Sequence, residues 1–406
     1  MAKFIVVVEP GRLEAVLSTL RAMGVRVVKV VQPYYILVEA PQEMKQALEA
    51  VQGVSYVWAE RVYRIALPVN VKLREFIRRG GPLNPAAMLW AASFRKDRWP
   101  TSISRRVLGA DVADSMGVTG RGVKVAVVDT GFDATPQKLR VDFVYSTMEL
   151  QPVGLDEQGH GVHVLTTIAG SRYPTPWGWL EGVAKGASVG AFKTLGYGLG
   201  FGSTMDVMEA LIAAYSWGAK IVNLSLGSDI APGESHDVER CPLCSLVTML
   251  AGRGVLVVVA SGNSGVGYAS CPSMSSGAIS VGALNKDLTA TDFTSRRHPL
   301  YESAGKPEVS APGAHIGSST TGLIDVMEWV DGPRVAYISG TSMATPHVSA
   351  LLALWVEYAR ARGVELDREA VMDVIRSGAE AEGRSWSPDT GYGPPRFEWI
   401  LDYLRR

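Results

Sequence analysis

Five short apolar runs, three of them followed by small polar residues and glycine, constrain this chain more than any other feature. Val123 to Val128, Val189 to Phe192, Ile221 to Leu224, Val255 to Ala260 and Ile279 to Val281 are rich in β-branched residues and are separated by stretches with helical periodicity. A strand that is apolar on both sides has to be covered on both sides. Runs of this kind alternating with helices predict an α/β fold, a parallel sheet with helices on both faces. Sites in such sheets form at the carboxyl ends of the strands. There the sequence supplies Asp129-Thr130-Gly131, Ser225-Leu226-Gly227 and Ala260-Ser261-Gly262-Asn263.

A smaller pattern precedes this one. Lys3 to Glu9 reads as a strand, and Leu13, Val16, Leu17, Leu20 and Met23 follow at helical spacing. Val25 to Val31 and Tyr34 to Glu39 read as strands about a turn at Gln32-Pro33; Met44, Ala47, Leu48 and Val51 mark a second helix, and Val54 to Glu60 closes the unit. The order βαββαβ is that of a ferredoxin-like α+β domain, one small sheet with two helices on a single face. Between the two patterns, from Ala66 to about Pro100, periodicity breaks down around Gly80-Gly81-Pro82 and Asn84-Pro85. Exposed chain of this kind is where proteolytic cuts fall. The expected domains are therefore 1–65, a linker at 66–100 carrying a processing site, and 101–406.

Charge and hydropathy exclude several classes of partner. Forty basic residues balance forty acidic ones, so nothing in the net charge points to nucleic acid or to an anionic membrane. No apolar run approaches the ~18 residues that span a bilayer. The N-terminus M-A-K-F-I-V-V-V-E-P lacks the long apolar stretch and small-residue cleavage site of a secretory signal. As written, the chain is expected to stay inside the cell, and to be external only if an export signal has been removed. Three cysteines are too few for a disulfide scaffold; Cys241-Pro-Leu-Cys244 has no second C-x-x-C beside it, so a local disulfide or free thiols are expected and no metal site.

The chemistry lies in I-S-G-T-S-M-A-T-P-H-V-S-A, Ile338 to Ala350, which sets Ser342 at the mouth of a helix. The first amides of a helix lack partners within it and carry the positive end of its dipole, so negative charge arising beside Ser342 would be stabilised. Serine is also a common N-cap, and alone this position would be ambiguous. A serine hydroxyl becomes a good nucleophile only when a base takes its proton, and histidine suits that task near neutral pH. His160, flanked by Gly159 and Gly161 at the mouth of another helix, supplies the base, and Asp129 a carboxylate to orient it. Asn263 could donate its amide to a developing oxyanion.

V-A-V-V-D-T-G, G-H-G-V-H-V, N-L-S-L-G, A-S-G-N and G-T-S-M-A-T-P-H-V together resemble the motifs of the subtilisin-like serine proteases, in that family's Asp, His, Ser order. The resemblance runs from roughly Arg105 to Tyr403. It implies a catalytic triad of Asp129, His160 and Ser342, with Asn263 as oxyanion donor. It further implies that Ser225, Leu226 and Gly227 pair with substrate backbone as an added strand, and that Cys271-Pro272 is a cis step near the S1 pocket. The family commonly carries an inhibitor-like propeptide of ferredoxin-like type, similar to residues 3 to 60. The implied protein is a self-processing serine endopeptidase zymogen, a monomer acting on proteins or peptides, with its own propeptide as intramolecular inhibitor and no required cofactor.

Two departures stand out. Val162 replaces the threonine usual after G-H-G. Gln137 falls near a place where calcium-binding members have an aspartate, and Ser171 to Leu180 lacks their polar loop, so the usual calcium site is expected to be missing. Asp133, Asp142 and Asp156 read as solvated loop carboxylates, His163 and His347 as structural, and His236, His298 and His315 carry no assigned role. Trp177, Trp179, Tyr197 and Phe201 read as packing residues. Uncharged Ser264 and Ser270 suggest an apolar P1 preference. Two other readings are open: a binding protein whose protease fold is permanently blocked by its N-terminal domain, and an esterase using the same triad.

Overall fold

The computed structural model describes residues 1–65, 98–135, 137–148, 154–176, 178–196, 200–321, 329–330 and 334–405. Most of the expected linker, residues 66–97, lies outside the described residues, as do Trp177 and Tyr197.

The N-terminal unit has strands β1 (Ala2–Val8), β2 (Arg26–Val31), β3 (Tyr35–Ala40) and β4 (Val54–Ala59), with helices α1 (Leu13–Ala22) and α2 (Lys45–Glu49). The strands form an antiparallel sheet in the order β2-β3-β1-β4. Alternation assigns the two faces of this sheet to different partners. Phe4, Val6, Val8, Ile36, Val38 and Val57 pack with Val16, Leu17, Leu20 and Leu48 of the two helices. Ile5, Val7, Tyr35 and Leu37 face the other way and join a core with Met205, Met208 and Leu211 of the large unit. Both faces are buried, although neither pattern departs from what a two-layer domain would show.

The large unit is built on a seven-stranded sheet in which every neighbouring pair is parallel. The order across it is Val309–Pro312, Ala278–Leu284, Leu256–Ala260, Ile221–Leu224, Lys124–Asp129, Ser188–Lys193, Val141–Ser146. The expected parallel sheet with helices on both faces is thus present, and it has two strands that the apolar runs did not announce. Val141–Ser146 is half-exposed along most of its length, so its side chains include charge and it does not read as a buried strand. Val309–Pro312 ends in proline, which an edge tolerates. One face carries the helix Thr341–Arg360, whose side chains are buried on almost every side. The other carries helices Thr204–Trp217 and Pro242–Gly252.

Trp99–Pro100 falls within the stretch expected to be linker, but it pairs in parallel with Ile316–Ser319. The large unit therefore begins before residue 101. Trp99 is buried in the core of the large unit.

Candidate active site

Asp129 is the last residue of the strand Lys124–Asp129, flanked by Ile221–Leu224 and Ser188–Lys193. Its backbone carbonyl accepts from the amides of Thr194 and Leu195, at 2.9 and 3.2 Å. The side chain, 1 % exposed, therefore has little freedom. Oδ1 accepts from the Thr130 amide and from His160 Nδ1, both at 2.7 Å; Oδ2 has no hydrogen-bond partner among the described residues.

His160 opens the helix His160–Ala169 and is fully buried. Its entry depends on Gly159, which has φ +96°; a Cβ there would lie 1.7 Å from the Thr321 carbonyl oxygen, so no other residue fits without moving that backbone. Asp156 supplies the cap. Oδ1 accepts from the amides of Gln158 (3.1 Å) and Gly159 (2.7 Å), and Oδ2 from Val162 (2.9 Å). This corrects the reading of Asp156 as a solvated carboxylate: it is 2 % exposed, and burial raises its pKa against the pull of those amides. The sequence signal was present, an aspartate just ahead of a helix. An ion pair between buried Lys193 and Glu157 ties the same loop to the neighbouring strand.

A carboxylate can only accept, so the Nδ1–Asp129 bond fixes the proton of a neutral imidazole on Nδ1 and leaves Nε2 as an acceptor. Nε2 has no partner among the described residues. Ser342 lies at the start of the facing helix, and the two helices pack together. Its Oγ donates to the carbonyl of Ser225 at 2.9 Å, and Ser225 Oγ donates back to the Ser342 carbonyl at 2.9 Å. The hydroxyl is therefore held by the strand extension beside it and makes no hydrogen bond to His160 in this arrangement.

Asn263 sits at the end of Leu256–Ala260, with Oδ1 accepting from the Thr341 amide (2.8 Å) and the Thr341 hydroxyl (2.9 Å). Thr341 thereby sets which end of the amide is presented away from it, namely the nitrogen. The neighbouring Ser225-Leu226-Gly227 edge is occupied by the chain's own residues. The short strand β5 (Val62–Arg64) lies between Gly227 and Phe201–Ser203. Arg64 exchanges both backbone hydrogen bonds with Gly227 at 3.3 Å, and the Ile65 amide donates to the Gly200 carbonyl at 3.1 Å. Tyr63 is fully buried. Arg64 also reaches Asp229 at 3.4 Å, and Asp229 accepts from the Ser264 hydroxyl at 2.8 Å. Composition around Ser264 and Ser270 overlooked this carboxylate. The Cys271–Pro272 bond is cis.

His163 and His347 lie in the core. His163 Nε2 donates to the Ile316 carbonyl at 3.0 Å, and His347 Nδ1 to the Met343 carbonyl at 2.8 Å. Burial lowers their pKa values to about 3 and about 4, respectively. Gln137 does not fit a calcium centre. Its Oε1 accepts from the Ser319 amide and hydroxyl at 3.1 and 3.0 Å, and its Nε2 donates to the Ser171 carbonyl at 3.1 Å. A buried amide that points N–H at a carbonyl and spends its own oxygen on donors has no oxygen of its own to offer a hard cation.

Of the local disulfide or free thiols expected at Cys241 and Cys244, the structure has free thiols. Cys241, Cys244 and Cys271 are all buried free thiols, and with His236 they form one cluster of potential ligands. Cys271 is far away in sequence, and His236 sits in a loop without periodicity, so spacing alone did not reveal it.

The subtilase family, peptidase S8, matches residues 120–393. The chain is 38% identical to Subtilisin Savinase of Lederbergia lenta over 255 residues, 63% of this chain and 83% of that one. It is equally similar, 38% over 255 residues, to M-protease of Shouchella clausii, of which the match spans only 59%. Among solved structures, fervidolysin from Fervidobacterium pennivorans superposes with a TM-score of 0.72 at 23% identity, covering 99% of this chain and 61% of that one.

Proposed function

The chain belongs to the subtilase family, and from that premise we propose that it is a serine endopeptidase using Asp129, His160 and Ser342, made as a zymogen that residues 1–65 inhibit. The observation carrying the reading is the buried 2.7 Å bond between Asp129 and His160, which leaves Nε2 as a proton acceptor at the end of the sheet where Ser342 opens its helix. Catalysis requires the Ser342 hydroxyl to leave the Ser225 carbonyl and turn to Nε2. Oγ then attacks the substrate carbonyl carbon as its proton passes to Nε2, and Asp129 stabilises the imidazolium. The negative oxygen formed is met by the Asn263 amide and the helix N-terminus. The imidazolium gives its proton to the leaving amine, the C–N bond breaks, and water repeats the sequence on the acyl-enzyme.

The strand β5 supports the inhibitory role. It makes the antiparallel contacts with Gly227 that a bound peptide would make, and its chain leads directly into residues 66–97. Protein or peptide substrates would add at the same edge. A basic side chain at the Arg64 position gains from Asp229, though by no more than about 1 kcal/mol because the pair is partly exposed. Among the described residues no helix is long and apolar enough to cross a membrane.

Mass spectrometry of the purified chain after incubation tests this. Wild type is expected to shorten to a species beginning after Ile65, while Ser342→Ala remains full length. A Ser342→Ala chain that matures alone would end the self-processing reading. The filled edge favours one rival, a permanently blocked binding protein. Labelling of Ser342 by a fluorophosphonate after tryptic nicking of 66–97 is expected, and no label before or after nicking would favour that rival.

A further inference from the structure

Four side chains on three separate segments converge beneath the candidate substrate edge. His236 comes from the loop before the helix Pro242–Gly252, Cys241 is that helix's N-cap, Cys244 lies in its first turn, and Cys271 ends the strand Ala269–Cys271. Their ligand atoms all lie within 4.8 Å of one another. Cys271 Sγ is 3.6 Å from Cys241 Sγ and 3.5 Å from Cys244 Sγ, and His236 Nε2 is 3.7 Å from Cys244 Sγ. Zn–S bonds of about 2.3 Å and Zn–N bonds of about 2.0 Å in a tetrahedron separate sulfurs by about 3.8 Å and sulfur from nitrogen by about 3.5 Å. We propose that these residues bind a zinc ion in a closed, structural Cys3His site.

The surroundings suit that ion better than four independent buried groups. Thiols filling a core have no reason to share a centre, and His236, 6 % exposed, has no hydrogen-bond partner at Nδ1 among the described residues. The helix N-terminus beneath Cys241 and Cys244 favours thiolates. With all four positions filled by protein, no coordination site is open to water, which makes the ion a staple and not a catalyst. What it would staple follows from the topology. Cys271 pairs with Ser228, the residue after Gly227, so the ion would join the wall of the cleft to the helix Pro242–Gly252. The N-terminal unit covers the cluster: Trp58 packs edge-on to His236 with ring centroids 5.7 Å apart, and the Tyr63 hydroxyl lies 3.1 Å from Cys271 Sγ. The metal site stands on these contacts alone; only its place beside a substrate cleft rests on the protease reading.

The test uses full-length Ser342→Ala, so that cutting cannot change the sample. Elemental analysis after purification without chelator is expected to find one zinc per chain, lost in Cys271→Ser and in His236→Ala. Because those variants could misfold, the parent chain is also exchanged into cobalt(II), where the visible bands of a tetrahedral thiolate complex and their loss on adding zinc are expected. Removing zinc with a chelator should lower the thermal midpoint, and adding it back should restore it. A zinc-free chain with three titratable thiols, a chain two hydrogens lighter from a disulfide, or an octahedral cobalt spectrum would overturn the site. Zinc bound at full stoichiometry in folded His236→Ala would overturn the histidine ligand. Failure of fluorophosphonate labelling in wild type, with zinc still bound, would count against the protease and not against the metal.

Discussion

Asp129 shares a single oxygen between the Thr130 amide and the His160 ring, and that economy decides what its substitution should do. Asparagine in its place keeps the shape but can turn an N–H toward Nδ1. The ring would then be held with its proton on Nε2, unable to accept from Ser342. Asp129→Asn is therefore expected to lower kcat on the order of 10⁴-fold, the size known for the same exchange in another serine protease triad, with folding largely unchanged. Progress curves on a peptide anilide, beside a thermal melt, measure both. A small loss of kcat would mean that Asp129 does not set the tautomer. Asp156 is the residue-scale lesson in the opposite direction. Three backbone amides use its charge, and through them the histidine helix starts where it does.

At the scale of elements, the positions of His160 and of β5 each depend on one close fit. Gly159→Ala would set a Cβ 1.7 Å from the Thr321 carbonyl at a backbone angle that side chains rarely adopt. The first turn of the helix should shift, and a displacement of about 1 Å at a catalytic group can cost on the order of 10²-fold in rate. Fluorophosphonate labelling of the nicked protein should slow by that order; labelling at the wild-type rate would contradict the fit. For β5 the fit is Tyr63, buried in the core shared by both units. Tyr63→Ala removes an anchor of the kind whose loss costs ≥ ~2 kcal/mol at interfaces, about 30-fold in occupancy. Full-length Tyr63→Ala should label faster than full-length wild type by that factor, and equal rates would show that β5 does not guard the edge. An alternating strand pattern told which residues of β1 and β3 share a face, but not that both faces would be covered. That depended on the apolar helices Thr204–Trp217 and Pro242–Gly252 presenting a second surface.

For the molecule as a whole, acid should be the weak side. His163 and His347 are fully buried, with pKa values near 3 and 4 in the fold against about 6.5 in an unfolded chain. Between those limits the unfolded state binds more protons, so stability rises with pH, is complete above about 6.5, and is lost as pH falls toward the folded values. Each ring contributes up to about 1.4 kcal/mol per pH unit in that window. Calorimetric unfolding of Ser342→Ala near pH 5 should take up about two protons through these rings; uptake unchanged in His163→Gln would refute its share. Much of this protein is determined by local pattern. The alternation of apolar runs with helices implies the parallel sheet, because backbone hydrogen bonds and two-sided burial leave few other arrangements, and Asp129, glycine-flanked His160 and Ser342 stand at element ends that such a sheet gathers at one edge. Tertiary structure alone decided the rest. Strand β5 between Gly227 and Phe201–Ser203, Gln137 bonded to Ser319, and Cys271 brought to Cys241, Cys244 and His236 are all meetings of residues distant in sequence. Periodicity records which side of an element is apolar; only the packing of whole elements against each other determines which distant side chains share a centre.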